Sequence, residues 1–197
     1  MSEIAPTGIE ATRRRLTEKQ ADTVDRLTAA ALEVLAREGY SGTTIRLVAA
    51  AASVGTATAY TYFSSKEHLI SEVFWRRLVA MPPLDESAAD PTTRVVAVLR
   101  QVSMLVADEP ALAGAVSSAL LGDDPDVRHL RLRIGTEIRH RLAGALGTRD
   151  PEQLAALELL YSGALLQGGM GLLSYAEVAD LLEACARRLL ADPAPGA

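Results

Sequence analysis

Only two lysines, Lys19 and Lys66, occur in these 197 residues, with one cysteine, one tryptophan and two phenylalanines. Each scarcity excludes something. The single thiol, Cys185, forbids an internal disulfide and fits a reducing cytoplasm. Its place on an apolar helical stripe reads as a small hydrophobe rather than a reactive group. Few aromatics and few β-branched runs disfavour a sheet sandwich. No apolar run approaches the roughly twenty residues needed to span a bilayer. "MSEIAPTGIEATRRRLTEK" has no apolar core behind its charges, and no secretory signal is expected there. What is abundant is alanine and leucine within a 49% hydrophobic composition, which favours helix and suffices for a real core. An all-α, cytoplasmic chain of about nine helices is expected.

Charge is unevenly placed. Residues 1–80 hold 10 Lys+Arg against 9 Asp+Glu, whereas residues 81–197 hold 10 against 16, within a total of −5. An acidic sum argues only weakly against nucleic acid, because local placement decides such binding. The first part carries "RRR" (Arg13 to Arg15), Arg46 and Lys66.

Val24, Leu27, Ala31, Val34 and Leu35 fall three and four apart and mark a first helix from Thr17, closed by Gly39 in a left-handed cap. Thr43 or Thr44 caps a second helix to about Ala51, "ASVG" interrupts, and a third runs from Thr56 to Tyr62. "SSKE" offers a capping box, Ser64 to Glu67, for a fourth through Leu69, Val73, Phe74 and Leu78. "MPPLDESAADP" is the clearest linker. Helices over 92–107, 110–121, 126–146, 151–173 and 175–191 follow, most opening beside a proline. The expected organisation is an irregular arm (1–15), a head (16–64), a connecting helix (65–81), a body (82–191) and a frayed tail (192–197).

Two short helices joined by a tight turn, with alanines where they cross, describe a helix-turn-helix. Val48, Val54, Ala59 and Phe63 are its expected core with helix one, which leaves Thr56, Thr58, Tyr60, Thr61 and Tyr62 outside or on the flanks. Threonine methyls can meet thymine methyls in a major groove, and tyrosine hydroxyls can donate to phosphates. Two tyrosines two apart cannot both face one core, so at least one is exposed.

"SVGTATAYTYFSSKEHL" resembles the signature of the TetR family, and the similarity extends over about 24–78. The resemblance implies a head that binds double-stranded operator DNA as a homodimer, most often as a repressor. It also implies a body that dimerises through its last two helices and encloses a small-molecule effector pocket. By that likeness Thr43, Thr44, Arg46, Thr56, Ala57, Thr58, Tyr60, Thr61, Tyr62 and Lys66 are the expected DNA-binding residues. The chain departs from the pattern at Ser53, in place of the usual turn glycine, at Gly55, in place of the usual cap serine, and at Ala57 and Ala59. Helix three has no Arg, Lys, Asn or Gln, so base reading is expected to lean on Arg46, threonine–thymine contacts and DNA shape. The Arg13 to Arg15 arm either reaches a minor groove or lies solvated.

"LELLYSGALLQGGMGLL" is apolar around most of its circumference, so it must be covered on several sides. With "VADLLEACARRLL" after it, a four-helix bundle of two chains is the natural solution, packing within one domain the alternative. Leu160, Ala164, Gly168, Leu181, Leu182, Cys185 and Leu189 are the expected dimer residues. Tyr161, Gln167 and Met170 are either core or the wall of a pocket for an apolar or amphipathic effector, Met104 is a further expected pocket residue, and Arg133 with His140 could hold a carboxylate inside it. The Arg-rich run from Arg128 to Arg141 reads as a solvated or salt-bridged face. His129 and His140 share a face but stand about 16 Å apart, too far to share one metal ion. No catalytic constellation, metal cluster or cofactor motif is legible. A helical protein–protein module without DNA binding remains the alternative function.

Overall fold

The computed structural model describes residues 17–83, 90–147 and 150–191. The expected arm and tail, and most of the linker after Pro83, lie outside the described residues. Among those described there are nine helices and no strand: α1 (Glu18–Gly42), α2 (Ile45–Ala51), α3 (Thr56–Tyr62), α4 (Lys66–Ala80), α5 (Pro91–Met104), α6 (Pro110–Leu120), α7 (Pro125–Leu146), α8 (Pro151–Gly169) and α9 (Tyr175–Leu190). Proline opens α5, α6, α7 and α8, where its missing N–H costs nothing. Asp90, Asp124, Asp150 and Ser174 accept first-turn N–H groups.

The chain turns at Gly39, whose φ of 67° falls between the regular part of α1 and a last turn that ends at Gly42. Its ψ of 175° makes this an extended glycine geometry rather than the expected left-handed cap. Thr43 then folds back, its Oγ1 donating to Gly39 O at 2.7 Å. The fourth helix also starts differently from expectation. Ser65, not Ser64, is its cap and accepts the His68 N–H. Glu67 is turned instead toward Tyr40, whose hydroxyl donates to it.

The core is continuous from Val24 and Leu27 of α1 through Phe74 and Leu78 of α4 to Leu157 and Leu182 of the last two helices. Helix α4 is central: it packs against α1, α6 and α7, and nine of its residues are buried. Helix α5 lies against α7 and α9, and α8 against α6, α7 and α9. A Cβ on Gly169 would stand 2.1 Å from Ser117 Oγ, so the backbone of α8 approaches α6 as only glycine allows. No described helix is long and apolar enough to cross a membrane.

Candidate nucleic-acid interface

Helices α1, α2 and α3 form a unit around Val48, Ala49, Ala59 and Phe63, all at most 1% exposed. Burying Ala59 and Phe63, four apart, turns the opposite side of α3 outward. Thr56, Ala57, Thr58, Tyr60 and Thr61 are exposed there, Tyr60 by 50%. Tyr62 is half-buried against the core, so Tyr60 is the more exposed of the pair. The Thr61 hydroxyl bonds back to Ala57 O. On α2, Thr44 caps the helix by accepting the Leu47 N–H at 3.2 Å, and Arg46 projects into solvent beside it.

Two expected contact residues change roles. Thr43 is 1% exposed and closes the end of α1, so it is withdrawn from any surface. Lys66 is half-buried; its Nζ donates to Tyr40 O at 2.8 Å and sits 4.3 Å from the centre of the Tyr40 ring. It ties α4 to the end of α1. Burial, the Glu67 carboxylate nearby and the bond to it raise the Tyr40 hydroxyl to about 12, so it stays a donor at neutral pH.

The turn between α2 and α3 holds Ser53 at φ 52°, the one positive φ outside glycine among the described residues. Arg26 of α1 clamps that turn, Nη2 donating to Ala52 O at 2.6 Å and Ser53 O at 2.9 Å. Sequence reading missed Arg26. Its spacing from the turn carries no local signal, because the contact spans 26 residues.

Beyond α3, Ser64 Oγ donates to Asp124 Oδ2 at 2.8 Å, and the Ser64 N–H donates to His68 Nδ1 at 3.3 Å. His68 is 2% exposed, edge-on to Phe63, with Asp126 Oδ2 3.7 Å away. Hydrogen bonds from Ser64, Asp126 and Ser65, helped by His68, outweigh burial and hold Asp124 below the usual carboxylate range. The segment just after α3 is thus fastened to the start of α7.

In the body the expected pocket residues scatter. Tyr161 is buried core, and burial pushes its hydroxyl further up. Met104 faces solvent at the end of α5, and Gln167 and Met170 do so because α8 turns Leu157, Tyr161 and Ala164 inward and its other side out. Arg133 lies over the Trp75 ring at 4.5 Å, while His140 stands on two open clefts. One cleft, about 380 Å³, lies between the end of α4, α5 and α7, lined by Met81, Val98, Gln101, Glu137 and Arg141 as well.

Of the expected dimer residues, Ala164, Gly168 and Leu182 are buried within their own chain; the side chains of Tyr175 and Val178 cover Gly168. Leu181 and Leu189 are exposed, Leu160 and Cys185 half-buried. Leu159 and Leu166 are exposed in one stripe of α8 that Met170 continues just past its end, with Gly163 between them meeting open space. The Arg-rich face is partly salt-bridged, Arg139 to Glu158 and Arg141 to Glu137, while Arg131 caps the end of α6 through Leu120 O and Gly122 O.

The sequence model described as "Bacterial regulatory proteins, tetR family" matches residues 27–73, which span most of α1, the two short helices and the first half of α4. An uncharacterized HTH-type transcriptional regulator of Mycobacterium bovis is 44% identical over 83% of this chain and 78% of its own length. The HTH-type transcriptional repressor KstR of Rhodococcus jostii is 26% identical over 85% of this chain and 82% of its own. Among solved structures, a TetR transcriptional regulator from Rhodococcus sp. RHA1 superposes with a TM-score of 0.72 at 24% identity, covering 89% of this chain and 99% of that one. The chain belongs to the TetR family of transcriptional regulators, with the DNA-binding helix-turn-helix in α2 and α3.

Proposed function

We propose that this regulator is a homodimeric repressor that leaves a palindromic operator when a small molecule binds its body. The outward side of α3 carries the reading: Thr56, Ala57, Thr58, Tyr60 and Thr61 stand free while Ala59 and Phe63 anchor the helix. A two-turn helix with small residues at its leading end fits a major groove. Arg46 grips a guanine edge, the threonine methyls meet thymines, and Thr44 and Tyr60 donate to phosphates. The withdrawal of Thr43, and the engagement of Lys66 with Tyr40, leave them supporting roles.

The exposed apolar stripe of α8, with Leu181 and Leu189 of α9, supports self-association. Four helices from two chains bury these side chains together and set two recognition helices one duplex turn apart. The similarity to a named repressor supports the sign of regulation. Release follows when an effector prefers a body arrangement that misplaces the heads, by as much as its differential affinity allows.

Capture and sequencing of genomic fragments by the purified protein, followed by footprinting, tests this. A palindromic site with half-sites about 10 base pairs apart, protected in a salt-sensitive manner, is expected. Absence of any salt-sensitive sequence-specific site favours the protein-docking alternative.

A further inference from the structure

Helix α4 carries three buried side-chain atoms with no hydrogen-bond partner among the described residues: Ser71 Oγ, Glu72 Oε2 and Trp75 Nε1. Such orphans are rare in native interiors, and each is costly to leave unpaired. Positions 71, 72 and 75 share one side of the helix. Ser71 and Glu72 are fully buried and Trp75 is 7% exposed. Opposite them, from α7, Arg133 lays its guanidinium over the Trp75 ring at 4.5 Å. Arg133 makes no hydrogen bond or ion pair with any described residue, although its charge reaches Glu72. A half-buried guanidinium stacked on Trp75, without a hydrogen-bond partner, therefore lies beside a stretch of α4 that leaves a hydroxyl, an indole N–H and one carboxyl oxygen unpaired.

We infer that Arg133, Trp75 and Ser71 form a receptor for the acid head group, carboxylate or phosphate, of a small organic effector. A guanidinium presents paired donors that match two oxygens of such a group, and stacking on an indole holds it flat and weakly hydrated. The indole N–H and the serine hydroxyl supply further donors. Glu72 does not oppose this near neutrality. Burial raises its carboxyl to about 7 against the pull of Arg76 and Arg133, so Oε2 is protonated in a large share of molecules and can itself donate. Its other oxygen is held by Arg76 Nε at 2.8 Å. Arg76 is paired in turn with Asp25 of α1, and α6 brings no charged residue to this side. Trp75 lies three residues from Leu78 and one from Phe74 in the core, so an occupant here bears directly on α4.

This proposal rests on the reading of the body as an effector-sensing unit, but its test uses no DNA. Trp75 is the chain's single tryptophan, so its fluorescence reports this site alone. The full chain is titrated with sodium octanoate, octyl phosphate and inorganic phosphate at constant ionic strength. A saturable change in emission is expected, octanoate against octyl phosphate deciding the head group and inorganic phosphate testing the need for a tail. Arg133→Gln is expected to weaken binding at least about tenfold with an unchanged helical circular-dichroism spectrum, and Arg133→Lys to fall between. Calorimetry on Trp75→Phe gives a second measure, with a smaller loss. If no probe saturates, or Arg133→Gln binds as well as the parent, the receptor is refuted and Arg133 is only the distant counter-charge of Glu72. Operator binding would stand untouched by that result.

Discussion

Ser64 Oγ donates to Asp124 Oδ2 across 2.8 Å, which joins the residue after Phe63, the C-cap of α3, to the cap of α7. The same Asp124 accepts the Asp126 N–H, so one carboxylate serves the start of a body helix and the end of a head helix. Ser64→Ala should lower stability by about 1 kcal/mol, read by urea unfolding. It should also weaken the dependence of operator affinity on effector while leaving effector-free DNA binding within about threefold. An unchanged effector response would show that α7 does not communicate through this bond.

Ser53 holds a left-handed conformation that favours glycine. Ser53→Gly should stabilise the chain by up to about 1 kcal/mol, since the conformational relief exceeds the extra entropy of the unfolded glycine. In a chain of this size that is about 2–4 °C in melting temperature. DNA affinity should stay the same or improve slightly, because the Arg26 clamp on the turn carbonyls is retained.

Arg46→Ala should cost about 1–3 kcal/mol on the cognate operator and much less on random DNA, with preference relaxed at one base pair of each half-site. Gel-shift titrations against single-base operator variants measure this. A uniform loss across all sequences would place Arg46 on phosphate instead.

Leu159 is 75% exposed on α8, the most exposed residue of its stripe. Leu159→Asp should leave the fold intact and raise the dimer dissociation constant by about two orders of magnitude, seen in sedimentation velocity. Operator affinity should fall in parallel. A parent chain that already sediments as a monomer at micromolar concentration would remove the basis for this.

Glu72 contributes a pH dependence of definite sign. Its folded pKa of about 7 lies above the ordinary 4.5, so the folded state binds the extra proton between those values. Stability from this group is therefore full below 4.5 and is lost as pH rises through 7. Comparing the parent with Glu72→Gln between pH 5 and pH 8 should show a difference that changes by about 2–3 kcal/mol, the parent losing more. Denaturant curves at the two pH values measure it.

Local signals were the legible ones. The apolar spacing of α1, the proline starts of α5 to α8 and the run around Tyr60 each place an element within a few residues. The positive φ expected of Gly39 is present, but its ψ depended on how Thr43 folds back, which no local pattern encodes. Long-range pairings were illegible for the same reason: Arg26 with the turn, Ser64 with Asp124, Arg133 with Trp75. The apolar circumference of α8 showed that it must be covered but not by what. Its own chain covers Ala164 and Gly168, and the side with Leu159 and Leu166 is left over.

The missing side chain at Gly169 reaches further than its own turn. Because the Ser117 side chain of α6 seats against the bare Cα of Gly169, any side chain there would push α8 away from α6, which itself packs on α4. A larger residue at 169 would therefore be felt, through α6, at the same helix that carries Trp75 and begins beside the helix-turn-helix.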